Sequence, residues 1–183
     1  MTGLNWAALD AAAAIPGEFP EIGDTGSYSL VDAPPGPVLR GVIEDLESDR
    51  FRGRMEQLFG IDLTDRPTVI SLRGRAGTRD GNIHTDSRTK ILSLLLYLNE
   101  DWKGPDGELR LLRNGRDLDA AAFQTPATMG SLLIFRRSEN SWHGHTLYEG
   151  PRRVLQFNYL QKTRHSVVSR LRHRLSALAK QPA

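Results

Sequence analysis

The chain has 183 residues, 39% of them apolar and 25% charged, which suits one globular domain with a core of useful size rather than two. It has no cysteine, which excludes disulfides, zinc–thiolate sites, iron–sulfur clusters and thiol catalysis and leaves histidine and carboxylate to hold any metal. The net charge of +2 is unevenly spread: residues 161–183 carry six basic residues and no acid, against 18 basic and 22 acidic in the remainder.

The alanine-rich start has no basic leader and carries Asp10 inside its apolar run, so a signal peptide is not expected and the cytoplasm is the default location. No apolar run approaches the roughly 18 residues of a membrane span. Residues 4–14 predict a short helix, and the turn-rich stretch 17–37 predicts surface loop with one strand. From Pro37 to Gly60 the apolar positions Val38, Val42, Ile43, Leu46, Phe51, Met55, Leu58 and Phe59 fall at helical spacing. This reads as two helices, or one broken near Ser48-Asp49, stopping at Gly60.

From residue 67 the period changes. "PTVISLRGR", "KILSLLLYLN", "ELRLLRN", "SLLIF" and "RRVLQFNYL" read as strands, separated by turn-rich or polar segments, with "AAFQTPATMG" as a connection into "SLLIF". Helices first and six or more short strands afterwards predict a mainly β, α+β domain: an antiparallel sandwich or jelly roll backed by N-terminal helices. Residues 1–66 form the support of this single domain, 67–160 its core, and 161–183 a basic C-terminal helix. That last segment places Val167, Val168, Leu171, Leu175 and Leu178 near helical spacing. A helix packing this stripe on the barrel is preferred over one touching a membrane surface, and no nucleic acid partner is expected.

On a strand, side chains at i and i+2 share a face, so the pair His84 and Asp86 can aim into one cavity. His143, beyond several strands, is the candidate third ligand, although His145 lies two residues on and shares its face if the segment is extended. Two histidines and one carboxylate occupy one face of an octahedron and leave three positions open, the arrangement of non-haem Fe(II) oxygenases.

The segments "IHTDS", "LLLYLNEDW", "DGELRLL", "MGSLLIF", "NSWHGH" and "GPRR", in this order over residues 67–160, resemble the prolyl 4-hydroxylase-like branch of the 2-oxoglutarate/Fe(II)-dependent dioxygenase superfamily. The resemblance implies a double-stranded β-helix, cupin-like in shape, with Fe(II), 2-oxoglutarate and O2 as cofactor and co-substrates. It implies hydroxylation of a C–H bond in an organic substrate, protein side chain or small molecule, with decarboxylation of 2-oxoglutarate to succinate. His84, Asp86 and His143 match the family's metal ligands, and the pattern of polar residue, His, Gly favours His143 over His145. A basic residue nine or ten positions after the distal histidine binds the far carboxylate of 2-oxoglutarate in the family; Arg152 and Arg153 stand there. A planar guanidinium suits a carboxylate because it binds bidentately. The arginines are neighbours on a strand, so one alone points inward, and "GPR" favours Arg152; Val154, Gln156 and Asn158 would then line the barrel. Tyr97 matches a position that supports the same carboxylate. Arg73 is a candidate for the metal-bound end of the co-substrate, Trp142 for shielding the metal, and Arg110 for the site mouth, each against an ordinary packing or surface role. The alternatives to this reading are a cupin-like metal enzyme that does not use 2-oxoglutarate and a non-catalytic barrel that binds a metal or ligand.

Overall fold

The computed structural model describes residue 15 and residues 17–162. The helix expected over residues 4–14 lies outside them, as does all but the first two residues of the expected C-terminal helix.

Helix α1 (Pro37–Glu47) and helix α2 (Asp49–Phe59) meet at Ser48, where the sequence predicts the break. Ser48 is extended, at φ −67° and ψ 151°; its N–H donates to Asp45 O and its Oγ accepts from Phe51 N–H at 3.2 Å, so one residue ends α1 and caps α2. Gly60, at φ 60°, ends α2 in the left-handed conformation that glycine adopts without strain. The buried stripe is Leu39, Val42, Ile43, Leu46, Phe51 and Met55. It differs from the expected face at two positions. Leu39 rather than Val38 is fully buried, because 39, 42, 43 and 46 follow the i, i+3, i+4, i+7 row. Leu58, in the last turn, is 56% exposed, and Leu63 beyond the helix is buried instead.

Eight strands follow the expected mainly β plan: β1 (Tyr28–Ser29), β2 (Thr68–Ala76), β3 (Lys90–Tyr97), β4 (Leu109–Leu112), β5 (Ala121–Thr125), β6 (Leu132–Arg136), β7 (His143–Gly144) and β8 (Gly150–Leu160). All pair antiparallel, in a five-stranded sheet of order β1-β2-β8-β3-β6 and a three-stranded sheet of order β5-β4-β7. In the sequence, residues 121–125 read as part of a connection into β6. They are an edge strand on β4, with Phe123 54% exposed, so little burial marks them as strand.

The large sheet is covered on both faces. Leu92, Leu94 and Leu96 of β3 and Leu155, Phe157 and Tyr159 of β8 pack with the α1–α2 stripe in one apolar cluster. The alternate positions, Leu95 and Tyr97 of β3 and Val154 of β8, pack with Leu109, Leu133 and Phe135 in a second cluster on the opposite face. Period-two alternation along β3 and β8 therefore fixes which residues meet the helices and which meet the space between the sheets. Each fully buried Leu or Phe contributes on the order of 1.5–3 kcal/mol from burial.

Candidate active site

His84 and His143 are paired through the backbone. The N–H of each donates to the carbonyl of the other, at 3.0 and 2.9 Å, and the rings lie 4.3 Å apart. The pairing continues to Gly81, whose carbonyl accepts from His145 N–H at 3.0 Å. At φ 88°, and with His145 Nδ1 2.6 Å from where a Cβ would stand, Gly81 admits no side chain; this lets the two segments approach. Each histidine also holds its ring from below. His84 Nδ1 is 2.8 Å from Asn82 O and His143 Nδ1 is 2.9 Å from Ser141 O, in both cases the carbonyl two residues earlier. An Nδ1–H donated to a carbonyl leaves the Nε2 lone pair free for a metal.

Asp86 completes the cluster: one ligand atom from each of His84, Asp86 and His143 lies within 4.8 Å of the others. Its Oδ1 accepts from Lys90 Nζ at 2.7 Å and its Oδ2 from Ser93 Oγ. Burial works to raise its pKa, but the hydrogen bonds from Lys90 and Ser93 outweigh it and hold the carboxyl below its usual range. Burial lowers the pKa of His143, helped by neighbouring His84, so the ring is kept neutral, the form a metal needs. Two imidazoles and a carboxylate fit a first-row divalent metal such as iron(II).

These residues line one cleft between the two sheets. Arg152 lines it too, at 6% exposure, which is the inward orientation the "GPR" tripeptide favours. Its Nε donates to Gly107 O at 2.8 Å, a terminal nitrogen donates to Tyr97 Oη at 3.2 Å, and the guanidinium carbon is 5.3 Å from the Tyr97 ring centre. No carboxylate of the described residues pairs with it. Burial lowers its pKa, and burial raises that of Tyr97. A buried guanidinium facing a cleft without a counter-ion fits an incoming carboxylate. Arg153 is outside the lining; its backbone N–H donates to Asn99 Oδ1 at 2.7 Å.

Arg73 also lines the cleft, tied by one nitrogen to Thr25 O at 3.1 Å and Asp80 Oδ1 at 3.3 Å. His145 is buried in the lining, and desolvation pushes its pKa down to about 4, helped by the charge of Arg152. Trp142 and Arg110 stand outside the lining. Trp142 packs on Gly115, where a Cβ would lie 2.8 Å from its ring, and Arg110 bonds Gln124, Leu118 O and Asp119. The sequence reading missed three supporting side chains. Ser93 and Lys90 hold Asp86, and Arg137 Nε donates to Asp86 O at 3.1 Å. Ser93 was the legible one, being polar in an otherwise apolar strand.

Residues 75–161 match the model of the 2OG-Fe(II) oxygenase superfamily. No curated protein matches the chain. Among solved structures, a viral collagen prolyl hydroxylase from Paramecium Bursaria Chlorella virus-1 is 11% identical, with TM-score 0.51 over 82% of this chain and 84% of that one. A prolyl hydroxylase from Trichoplax adhaerens, in complex with a hypoxia inducible factor peptide, is 13% identical, with TM-score 0.51 over 85% and 80%. A prolyl-4-hydroxylase from Pseudomonas putida is 22% identical, with TM-score 0.47 over 62% of this chain, and the chain spans only 63% of it. The likeness to the first two is one of fold. The match to the 2OG-Fe(II) oxygenase superfamily model covers the segment that carries β3 to β8 and the His84, Asp86 and His143 cluster.

Proposed function

We propose that the chain is a single-domain Fe(II)- and 2-oxoglutarate-dependent dioxygenase of the hydroxylase type, built on a double-stranded β-helix. The observation that carries this reading is a buried guanidinium without a carboxylate partner among the described residues, Arg152, in the same cleft as the His84, Asp86 and His143 cluster. His84 and His143 hold the metal through Nε2, and Asp86 through its carboxylate. Iron(II), with 2-oxoglutarate and O2 bound, supplies oxidative decarboxylation to succinate and CO2, coupled to hydroxylation of a substrate C–H bond.

The chain's own residues bind and orient. Arg152 takes the far carboxylate of 2-oxoglutarate, with Tyr97 Oη beside it. Gly107 O fixes the guanidinium plane through Nε, so the remaining N–H groups are aimed before the ligand arrives. What supports Arg152 over Arg153 is its place in the cleft lining. Arg73 stands on the same inward row of the sheet as Val154 and Tyr97, which supports a part for it at the co-substrate, with Asp80 steadying it. Leu95, Leu109 and Phe135 form the apolar wall that excludes water from the metal. The substrate is an organic molecule bearing an oxidisable C–H bond. No helix of the described residues is long and apolar enough to cross a membrane.

The test is an anaerobic titration of 2-oxoglutarate into the protein loaded with Fe(II), read in the visible spectrum. Chelation gives a weak charge-transfer band that is absent in His84→Ala. Iron binding without a band overturns the use of 2-oxoglutarate, and failure to bind iron overturns the metal site.

A further inference from the structure

Asn158 has no side-chain partner among the described residues to explain it. It is 5% exposed, it lines the cleft, and its carboxamide makes no hydrogen bond with the described residues. Its amide atoms are nevertheless not sealed in, as those of truly orphaned buried groups are. A carboxamide brings two donors and an acceptor, and buried polar groups almost always find partners. The partner of Asn158 is therefore something that enters the cleft.

The strand says which end of the cleft that is. Residues 152, 154, 156 and 158 of β8 share one face, and six residues of strand span about 20 Å. A five-carbon dicarboxylate anchored at Arg152 and Tyr97 is far shorter than that. Asn158 is in register with Ser93, whose hydroxyl holds Asp86, so it stands at the level of the metal cluster, six residues along β8 from Arg152. Gln156, the next inward residue, also lines the cleft with no side-chain partner among the described residues. The cleft's other cations are occupied, Lys90 by Asp86 and Arg73 by Asp80. At the level of the metal cluster β8 thus offers the neutral carboxamide of Asn158, with that of Gln156 one inward position nearer Arg152.

We propose that Asn158 and Gln156 form the substrate-side subsite and select a substrate carrying an uncharged group that both donates and accepts hydrogen bonds, a hydroxyl or a carboxamide, near the C–H bond that is oxidised. A charged group would meet no counter-charge there, and a hydrocarbon would leave both amides unbonded, at a cost in affinity. The inference rests on the dioxygenase reading, because the metal and 2-oxoglutarate define which part of the cleft is left.

The experiment loads the protein with Mn(II) and 2-oxoglutarate and measures paramagnetic relaxation of small probes by NMR: acetamide, ethylene glycol, acetate and benzene. Mn(II) binding is checked separately by electron paramagnetic resonance in every variant. Acetamide, ethylene glycol or both relax more strongly in the wild type than in Asn158→Leu or Gln156→Leu, by about fivefold, the factor one net hydrogen bond confers. Benzene gains in the variants, and acetate stays weak in all. Comparing acetamide with ethylene glycol tells a carboxamide substrate from a hydroxylated one. Equal relaxation of both polar probes in wild type and variants, with Mn(II) bound, overturns the subsite and leaves the dioxygenase reading intact. Loss of Mn(II) from the wild type overturns both.

Discussion

His84 and His143 are cross-strand neighbours: each N–H donates to the other's carbonyl, and their rings stand 4.3 Å apart. Two of the three candidate ligands, 59 positions apart in the chain, are thus set by one rung of a ladder rather than by side-chain packing. The third is set by Lys90 and Ser93. Replacing His84 or His143 by alanine removes a donor, and Fe(II) affinity falls by more than the ~10–100-fold typical of losing an outer partner. Ser93→Ala leaves the ligands in place and falls inside that range. Anaerobic Fe(II) titration measures all three; equal affinity of Ser93→Ala and wild type would show that its bond to Asp86 is idle.

Arg152 and Arg153 differ in what they face, although they are adjacent. Removing a buried charge's partner costs roughly 2–5 kcal/mol, so Arg152→Ala raises the Kd for 2-oxoglutarate by ~30-fold or more. Arg153→Ala stays within about twofold, the scale of a residue with no buried charge pair. The charge-transfer titration reads both. The reverse ranking would move the co-substrate to the other face of β8.

How much of this was legible follows from what period-two alternation can carry. The apolar residues of β3 and β8, the break at Ser48, the stop at Gly60 and the pairing of Arg152 with Gln156 and Asn158 on one face all follow from local rules. β5 was not legible, because an edge strand whose Phe123 meets water shows no buried face. Arg137 was not either: its bond to Asp86 O joins positions 51 apart, and nothing local marks that. Nor does local spacing reveal that His84 and His143 are rung partners, which depends on how the two segments meet at Gly81.

Gly107 is a positioning residue for Arg152. Its carbonyl accepts from Arg152 Nε, it sits at φ 73°, and a Cβ there would lie 2.8 Å from Tyr148 Cβ and 2.9 Å from Trp102 Cζ2. The two rings lie 4.5 Å apart, tilted by 41°, and Tyr148 Oη donates to Pro151 O at 3.1 Å. Gly107→Ala therefore costs on the order of 1–3 kcal/mol in backbone strain. It also weakens 2-oxoglutarate binding while Fe(II) binding holds, since the carbonyl is remote in sequence from the ligands. Paired metal and co-substrate titrations test this; parallel loss of both would mean general unfolding instead.

His145 makes the metal-free protein sensitive to acid. Desolvation, with the nearby Arg152 charge, puts its pKa at about 4 in the folded chain, against about 6.5 for an unfolded histidine. Above the unfolded value both states are neutral and stability is flat. As pH falls below it, the unfolded chain takes up the proton and the folded one does not, so stability declines until the folded pKa is reached. Between pH 7.5 and pH 5 this one group lowers stability by ~2 kcal/mol. His145→Gln, which keeps a polar side chain but cannot titrate, should remove that part of the slope in chelator-treated protein. Urea midpoints of wild type and variant at the two pH values decide it: equal slopes would mean that the ring is solvated or already paired when the protein is folded.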